Sequence, residues 1–242
     1  MLFGAVTIFP QMFAAIKDYG ITKRAINNGL AQLNLYNPRD YAVDKHGTVD
    51  DRPYGGGPGM VMKVEPLLHA INAAKEDLKK ITNNYPLVVC LSPQGKKITQ
   101  QDLRQFIKQQ NSVIFVCGRY EGIDERTYQL AINEEWSIGD FILSGGELAA
   151  MAIMDAIIRL IPGALGDPNS FNQDSFGEDG LLDCPHYTRP ECIYDLKVPE
   201  VLLSGNHMDI FNWRQQQRLI RTKQRRKDLL KLEVEEQNSY DN

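Results

Sequence analysis

The chain has 242 residues, 43% of them hydrophobic, and a net charge of −4, which suits one large domain or a domain with a smaller partner. The nearly balanced charge gives no global argument for nucleic-acid binding. The longest apolar stretch, residues 148–161, contains Asp155 and Arg159 and is too short to span a membrane, and the N-terminus lacks the basic start of a secretory signal. Four cysteines without a CxxC pair suit a reducing compartment, so we expect a cytoplasmic protein.

Short apolar runs alternate with amphipathic segments along the first two thirds of the chain. Strands are predicted at residues 3–9, 30–37, 86–92, 112–118 and 136–143. Helices are predicted near residues 11–28, 64–82, 99–110, 123–132 and 146–161. Such alternation is typical of an α/β fold with a mostly parallel sheet and helices on both faces.

Two of these helices carry clear local signals. Within residues 64–82 the apolar side chains recur at helical spacing, which predicts one buried face. At residues 99–102 the sequence TQQD offers Thr99 as an N-cap and places Asp102 in the first turn, where the helix dipole favours an acid.

The alternation stops at residues 161–180, where Gly, Pro, Asn, Asp and Ser are crowded together. This composition marks a linker or a functional loop. We therefore predict a domain at residues 1–161, a flexible linker at 162–176 and a C-terminal domain at 177–242. In the last, residues 213–231 hold eight Lys or Arg against one acid, so this stretch is either a solvated helix face or a surface that contacts phosphates.

Glycines cluster at two places. In SIGDFILSGGELAAM (137–151) a double glycine precedes a helix, an arrangement that can bind a phosphate. Here no Lys-Ser/Thr follows Gly146, and Glu147 would repel an anion, so a phosphate site is disfavoured. The stretch RPYGGGPGM (52–60) is either a loop that lets a ligand approach the backbone or a mobile surface loop, and the residues alone favour the second.

Two further motifs, LSPQGKK (91–97) and CGRYEGIDER (117–126), begin where predicted strands end. Ligands of open α/β sheets bind at the carboxyl ends of strands, so these loops and residues 137–146 are expected to converge on one site. The Arg and Glu side chains of the second motif are equally compatible with salt bridges at a helix start. A zinc site is disfavoured, because the spacing of the remaining candidate ligands matches no common zinc motif. Those candidates are Cys184, His186, Cys192 and His207.

Five motifs, taken in order, closely resemble those of the bacterial tRNA (guanine-N1)-methyltransferase family: YGGGPGM, LSPQG, CGRYEGIDER, SIGDFILSGGE and DSFGEDGLLDCPHYTRP. The similarity runs from the first strand to the basic C-terminal stretch. It implies a SPOUT-type α/β fold, a parallel sheet with a deep trefoil knot, followed by a smaller, mainly helical C-terminal domain. Alternation alone predicts an unknotted, doubly wound sheet, because knots are nearly absent from proteins. The family instead implies a knot at about residues 87–143, and a homodimer whose two subunits both contact tRNA.

The resemblance implies transfer of a methyl group from S-adenosylmethionine to N1 of guanine at tRNA position 37, next to the anticodon. Matching motif positions imply Asp174 as the general base and Arg159 as the group that faces guanine O6 or positions Asp174. Glu121 is implied as an electrostatic support near the methyl donor. The loop that carries Asp174 is expected to become ordered when tRNA binds. The resemblance leaves open whether Mg²⁺ assists the reaction.

The resemblance further implies a donor pocket with apolar walls and exposed backbone groups. Its residues are expected to be Leu91, Ser92, Pro93, Gly95, Gly118, Tyr120, Glu121, Ser137, Ile138, Gly139, Phe141, Leu143, Gly145 and Gly146. Phe141 stands where the family usually has a tyrosine, so a hydroxyl contact is lost there. The tRNA is expected to be held by basic side chains of the HYTRP motif and the basic stretch, namely Arg189, Arg214, Arg218 and Arg221.

Two other functions stay open on the residues. One is an RNA-binding protein that keeps the fold without catalysis, and the presence of Arg159, Glu121 and Asp174 argues against it. The other is a nucleotide-dependent enzyme that uses the glycine loops for phosphate. The missing Lys-Ser/Thr and the acid at Glu147 argue against that alternative.

Overall fold

The computed structural model describes residues 1–165 and 174–230. The chain divides into two compact units, Met1–Pro168 and Asn169–Asn242. Residues 166–173 of the predicted linker lie outside the described residues. Within the two described ranges, no helix combines the length and the apolar character that are needed to cross a lipid bilayer.

The first unit is built on a five-stranded sheet in which all neighbouring strands are parallel. Its strands are β1 (Leu2–Val6), β2 (Gln32–Tyr36), β5 (Leu87–Lys97), β6 (Ser112–Cys117) and β7 (Glu134–Ser137), in the order β2-β1-β6-β5-β7. A short antiparallel ribbon of β3 (Asp50–Asp51) and β4 (Val61–Met62) lies between β2 and β5 in sequence. The prediction of an α/β fold with a parallel sheet is confirmed.

Helices connect the strands of this unit. They are α1 (Ala14–Lys17), α2 (Gly20–Asn27), α3 (Val64–Thr82), α4 (Gln100–Gln109), α5 (Glu125–Ala131) and α6 (Glu147–Leu160), with short 3-10 helices at Pro10–Phe13 and Pro38–Tyr41. The N-cap prediction for α4 is confirmed, because Thr99 and Asp102 form a reciprocal capping box. Together the two side chains satisfy backbone N–H groups that the first helical turn leaves without partners.

The predicted helix at 11–28 is wrong as a continuous element. It consists of a 3-10 helix, α1 and α2, and the chain is extended at Tyr19, the residue that precedes α2. The predicted strand at 136–143 is too long, because β7 ends at Ser137. The Ser137 hydroxyl bonds both the N–H and the carbonyl of Gly139, whose φ of 152° turns the chain out of the sheet.

The core lies on both faces of the sheet. Side chains alternate along β6, so Phe115 joins one buried cluster with Ile157 of α6, while Ile114 joins the other with Leu67 and Ile71 of α3. Because both faces are covered, β6 is buried along its whole length. The sheet therefore offers solvent and ligands only its ends and edges.

The backbone approaches itself closely at two glycines beside the carboxyl ends of the strands. A Cβ on Gly95 would lie 2.4 Å from the carbonyl carbon of Glu135, and a Cβ on Gly146 would lie 2.9 Å from Cα of Cys117. Gly146 N–H also donates to the carbonyl of Gly118 at 3.0 Å. Glycine is required at both positions because larger residues would force the backbone segments apart.

The second unit contains a hairpin and two helices among its described residues. The hairpin strands are β8 (Cys192–Ile193) and β9 (Leu196–Lys197), and Tyr194 and Asp195 between them have positive φ, as a tight hairpin turn requires. The helices are α7 (Glu200–Leu203) and α8 (His207–Arg225), followed by a 3-10 turn at Lys227–Leu230. Asn206 caps α8 by accepting the N–H groups of Met208 and Asp209.

We expect Gly95→Ala to destabilise the first unit by about 1–3 kcal/mol, because its Cβ would overlap the backbone of Glu135. Chemical denaturation followed by circular dichroism measures the change. Gly118→Ala is the matched control, since a Cβ there meets its nearest neighbour, a side-chain carbon of Ile123, at an ordinary 3.5 Å. Equal stability of the two variants would contradict the close approach at Gly95.

Candidate functional site

A cavity of about 530 Å³ opens at the carboxyl ends of β5, β6 and β7. Three chain segments line it: residues 90–94 from β5, residues 118–123 after β6, and residues 136–146 from the end of β7 to the start of α6. The three segments expected to converge do so, but residues 91–97 belong to β5 itself and not to a loop that follows the strand. A cavity of this size, at this edge of a parallel sheet, suits a small organic ligand.

All but one of the residues expected to bind the donor line this cavity. The exception is Gly95, which instead packs against the backbone of Glu135 and fixes β5 against β7. Sequence reasoning assigned no ligand-binding role to other lining residues, among them Gln94, Arg119 and Tyr128. Gln94 and Arg119 lie inside the motifs LSPQGKK and CGRYEGIDER, but the sequence of a motif does not show which of its side chains turns toward a cavity.

The cavity wall formed by residues 138–146 depends on a buried ion pair. Glu147, the first residue of α6, is fully buried, and its carboxylate accepts a hydrogen bond from Arg119 Nε at 2.8 Å and another from the Thr7 hydroxyl at 2.8 Å. Arg119 Nη1 donates to the Ser144 carbonyl at 3.1 Å. These contacts tie the chain after β1, the loop after β6 and the start of α6 together.

The remaining contacts of the Arg119 guanidinium explain why glycine is needed at position 145 of the Gly145-Gly146 pair. The group lies over the Phe9 ring, 4.6 Å from its centroid, and a Cβ on Gly145 would come within 2.1 Å of Nε. Gly145 therefore leaves space for Arg119, while Gly146 permits the crossing with Cys117. The Gly146 N–H already donates to Gly118, so it is not presented to an anion.

The phosphate argument from the sequence needs a correction. Glu147 does not face the cavity, because its charge is buried and paired with Arg119. The carboxylates that line the cavity are those of Glu121 and Glu125. They disfavour a phosphate there and favour a positively charged ligand group.

The loop RPYGGGPGM ends against the rim of the cavity. Its tip is exposed, and Tyr54 is fully so, which fits the surface-loop interpretation. Its last residues are held, because Glu121 N–H donates to the Met60 carbonyl at 2.9 Å and a Cβ on Gly59 would overlap the Glu121 side chain. Tyr120 has a positive φ of 61° at this turn, so the rim contains a backbone conformation that most residues disfavour.

The two cysteines near the cavity are protonated thiols. Burial raises the pKa of Cys90 to about 11, and it raises the pKa of the fully buried Cys117 well above its ordinary value. The Cys90 thiol donates to the Tyr128 hydroxyl, whose pKa is also raised by burial. Because a thiolate is the nucleophilic form, neither cysteine suits covalent catalysis.

Arg159, the catalytic candidate near the end of the first unit, does not line the cavity formed by the described residues. Arg159 is half-buried in the last turn of α6, ten residues and roughly 15 Å along the helix from Ala149, the helical residue at the cavity. Asp174 is half-buried and opens the second described range. Glu121, in contrast, lies on the cavity wall.

The four arginines expected to contact RNA differ in their surroundings. Arg189 and Arg214 are exposed, and Arg221 is half-buried. The Tyr187 and Trp213 rings lie 6.4 Å apart, which brings the HYTRP motif beside the first half of α8. Arg218 is buried, and both of its terminal nitrogens bond Asp179, so its contact with RNA stays a prediction that this placement does not support.

The cysteine and histidine cluster near residue 184 is held by hydrogen bonds. Asp183 Oδ2 lies 2.8 Å from His186 Nε2, and Oδ1 accepts the Cys184 N–H at 2.6 Å. Burial pushes the pKa of Asp183 up, but bonds from His186 and the Cys184 N–H leave it below its ordinary value. Burial raises the pKa of Cys184 above its ordinary value, and the ligand atoms of Asp183, Cys184 and His186 lie within 4.8 Å of one another.

The fold and the cavity define an α/β protein with a cavity suited to a small ligand at the carboxyl edge of a parallel sheet. Comparison with known proteins narrows this class, because the family model described as tRNA (Guanine-1)-methyltransferase TrmD matches residues 1–232. The chain belongs to this family.

Its relatives are similar over nearly their whole length. A protein of Shewanella sediminis strain HAW-EB3, named tRNA (guanine-N(1)-)-methyltransferase, is 59% identical over 230 residues, which cover 95% of this chain and 93% of the relative. One of the same name from Pseudomonas entomophila strain L48 is 57% identical over 225 residues, covering 93% and 88%. The resemblance stated from the motifs is thereby confirmed.

We expect Glu147→Gln to lower the free energy of unfolding by about 3 kcal/mol. The substitution leaves the Arg119 charge without its buried partner. The expected loss of about 3 kcal/mol is at the lower end of the range for broken buried ion pairs, because 15% of the Arg119 side chain is exposed. Denaturant titration measures the loss.

Asp140→Asn provides the matched control for this experiment. Asp140 pairs with Lys97 at 3.0 Å, but both side chains are mostly exposed, so removing this charge should change stability far less. If the two variants lost the same amount, the buried pair would not be what holds the cavity wall.

Proposed function

We propose that this chain transfers a methyl group from S-adenosylmethionine to N1 of guanine at position 37 of tRNA. The observation that carries the proposal is the strand-end cavity of a chain that belongs to this methyltransferase family. The donor supplies an electrophilic methyl group on a positively charged sulfur. The residues of the chain must bind it, exclude water and manage the proton of the target nitrogen.

The cavity has the properties that this donor needs. Leu91, Ile138 and Leu143 provide apolar surface for a flat, neutral adenine, and the loop at 138–146 exposes backbone groups to its polar edges. Glu121 and Glu125 add negative charge, which attracts a sulfonium. Phe141, which is half-exposed, can pack against the donor but brings no hydroxyl.

The roles of Asp174 and Arg159 follow from the need to remove the proton on N1 of guanine. N1 of guanine carries a proton at neutral pH, and an aspartate with an ordinary pKa of about 3.9 is a much weaker base than the N1 anion. A cation at O6 reduces this mismatch, because it stabilises the negative charge that develops there. We therefore assign proton removal to Asp174, and O6 stabilisation or the positioning of Asp174 to Arg159.

We propose that the site is completed in a homodimer. Within the first unit, the cavity outlined by the described residues contains Glu121 but not Arg159. A second copy can bring its own residues to the cavity of the first, so that tRNA contacts both subunits. We also propose a trefoil knot at about residues 87–143, with which the close approach of Gly95 to the backbone of Glu135 is compatible.

The same proposal covers substrate access. N1 lies on the Watson–Crick edge, so the base must leave its stack, which costs little at a position that is already in a loop. Arg189, Arg214 and Arg221 are the accessible cations that we assign to the phosphates of the anticodon stem. We assign residues 1–161 to donor binding, residues 177–242 to tRNA binding and the reaction to the cytoplasm, with Mg²⁺ as a component to be tested.

Primer extension on methylated tRNA tests the function. The protein is incubated with labelled S-adenosylmethionine and an unmodified tRNA transcript that has guanines at positions 36 and 37. We expect label in the tRNA and an arrest of reverse transcription at position 37. Tight tRNA binding without methylation would instead indicate an RNA-binding protein, and phosphate release from ATP would indicate a nucleotide-dependent enzyme.

We expect Asp174→Asn to slow methyl transfer by about a hundred- to ten-thousandfold, because an amide cannot accept the N1 proton. Donor affinity, measured by calorimetry, should stay nearly unchanged, since Asp174 is assigned to the guanine proton and not to donor binding. Glu178→Gln is the matched control, because it removes an exposed carboxylate four positions along the same segment. Turnover by Asp174→Asn within a few-fold of the unmodified protein would rule out Asp174 as the base.

A further inference from the structure

The residues that follow Asp174 are bound tightly to helix α8. We call residues 174–184 the Asp174 segment. Its backbone and side chains form hydrogen bonds to two buried polar residues of α8, Arg218 and Thr222. These are the two buried residues of that helix.

Arg218 binds the middle of the segment at two points. Nη1 and Nη2 donate to the two carboxylate oxygens of Asp179 at 2.6 and 2.7 Å, and Nε donates to the Leu182 carbonyl at 3.3 Å. The paired bonds to Asp179 set the orientation of the carboxylate as well as its distance. Only 9% of the Arg218 side chain is exposed, so its charge is paired with Asp179 inside this unit and is not presented to solvent.

Thr222 binds the same segment one helical turn further on. It is fully buried, its hydroxyl accepts the Leu182 N–H at 2.9 Å, and the hydroxyl proton is donated to the Arg218 carbonyl at 2.8 Å. The carbonyl and N–H of Leu182 are thus bonded by Arg218 and Thr222, respectively. A buried backbone group that lost such a partner would be costly to the unit.

Hydrogen bonds inside the segment lead from these anchors back to Asp174. Leu181 N–H donates to Asp179, and the Leu181 carbonyl accepts the Phe176 N–H at 2.9 Å. Asp183 N–H donates to the hydroxyl of Ser175, the neighbour of Asp174, at 3.0 Å. Phe176 has a positive φ of 63°, so the chain turns sharply two residues after Asp174.

From this chain of contacts we infer that Arg218 and Thr222 are positioning residues for Asp174 in methyl transfer. They hold the Asp174 segment against α8 and thereby fix the position of the Asp174 backbone. This inference rests on the proposed role of Asp174 as the base. It also separates Arg218 from the other arginines of α8, whose guanidinium groups face solvent or partly face it.

The alternative role for Arg218 is contact with tRNA phosphate. A phosphate contact adds affinity that falls as salt concentration rises, and its loss weakens binding of every tRNA. A positioning contact changes the rate of the chemical step and leaves the affinity for tRNA unchanged. Rate and affinity therefore distinguish the two roles.

The experiment compares Thr222→Val, which keeps the shape and loses the hydroxyl, with Thr222→Ser, which keeps the hydroxyl. Arg218→Lys serves as a second variant that retains charge but loses the paired bonds to Asp179. Gln216→Ala, an exposed change on the same helix, is the control. Single-turnover methyl transfer at saturating tRNA and donor gives the rate, filter binding gives the tRNA Kd, and thermal unfolding monitors the fold.

We expect Thr222→Val and Arg218→Lys to lower the single-turnover rate between about ten- and a hundredfold, because small displacements of a reacting group have effects of this size. The tRNA Kd should change by less than about twofold, and Thr222→Ser should retain the rate within about twofold. In an Asp174→Asn background, the same substitutions should lower the residual rate by less than about twofold, since the group they position is gone.

Three results would overturn the inference. One is an unchanged rate in Thr222→Val and Arg218→Lys when Asp174→Asn is slow. Another is a tRNA Kd that rises as much as the rate falls, which indicates phosphate contact. The last is a loss of equal size with and without Asp174, which indicates a general structural effect. Should Asp174→Asn itself keep the full rate, the proposed base would be wrong, and this outcome is separate from the first three.

Discussion

The buried carboxylate of Glu147 is the interaction on which the candidate site depends. A charge without access to water is stable only when it is paired and hydrogen-bonded, and here Arg119 and Thr7 meet that requirement. These two partners come from the loops after β6 and β1, whereas Glu147 begins α6. Satisfying one charge therefore fixes three chain segments at the carboxyl edge of the sheet. The cavity wall at residues 138–146 then has a defined start at Ser137 and a defined end at Gly145.

Backbone crossings have a comparable role in shaping the cavity. Gly95 and Gly146 allow the chain to pass within a few ångströms of neighbouring segments, so the two ends of the cavity wall lie against β5 and β6. Apart from the Arg119–Glu147 ion pair, the cavity has neutral groups where it is buried, among them the Cys90 and Cys117 thiols, which burial keeps protonated. The inner surface of the cavity is thus mostly apolar, the charge of Arg119 is paired with Glu147, and the carboxylates of Glu121 and Glu125 come from the turn and helix that follow β6. This distribution suits a ligand with a flat neutral part and a positively charged part.

Arginine has two different uses in this chain. Arg119 and Arg218 are mostly buried, and each binds a carboxylate and a backbone carbonyl, which are the groups that a planar guanidinium pairs with best. Arg189 and Arg214 are exposed. The sequence alone cannot separate these uses, because both kinds occur in motifs with similar local composition. Burial and the position of a partner carboxylate decide between them, and both depend on residues far away in the chain.

The alternation of apolar strands and amphipathic helices determined the α/β class and the parallel sheet, because burial of both sheet faces leaves a strong periodic pattern. Local capping determined where α4 begins, since Thr99 and Asp102 are close in sequence. The motif order determined the family, and it predicted most of the residues around the cavity. The end of β7 at Ser137, the break at Tyr19 and the roles of Arg119, Glu147 and Arg218 were decided only by the tertiary structure. Each of these depends on contacts that close across the fold, such as the 140-residue separation between Thr7 and Glu147, and no local pattern records them.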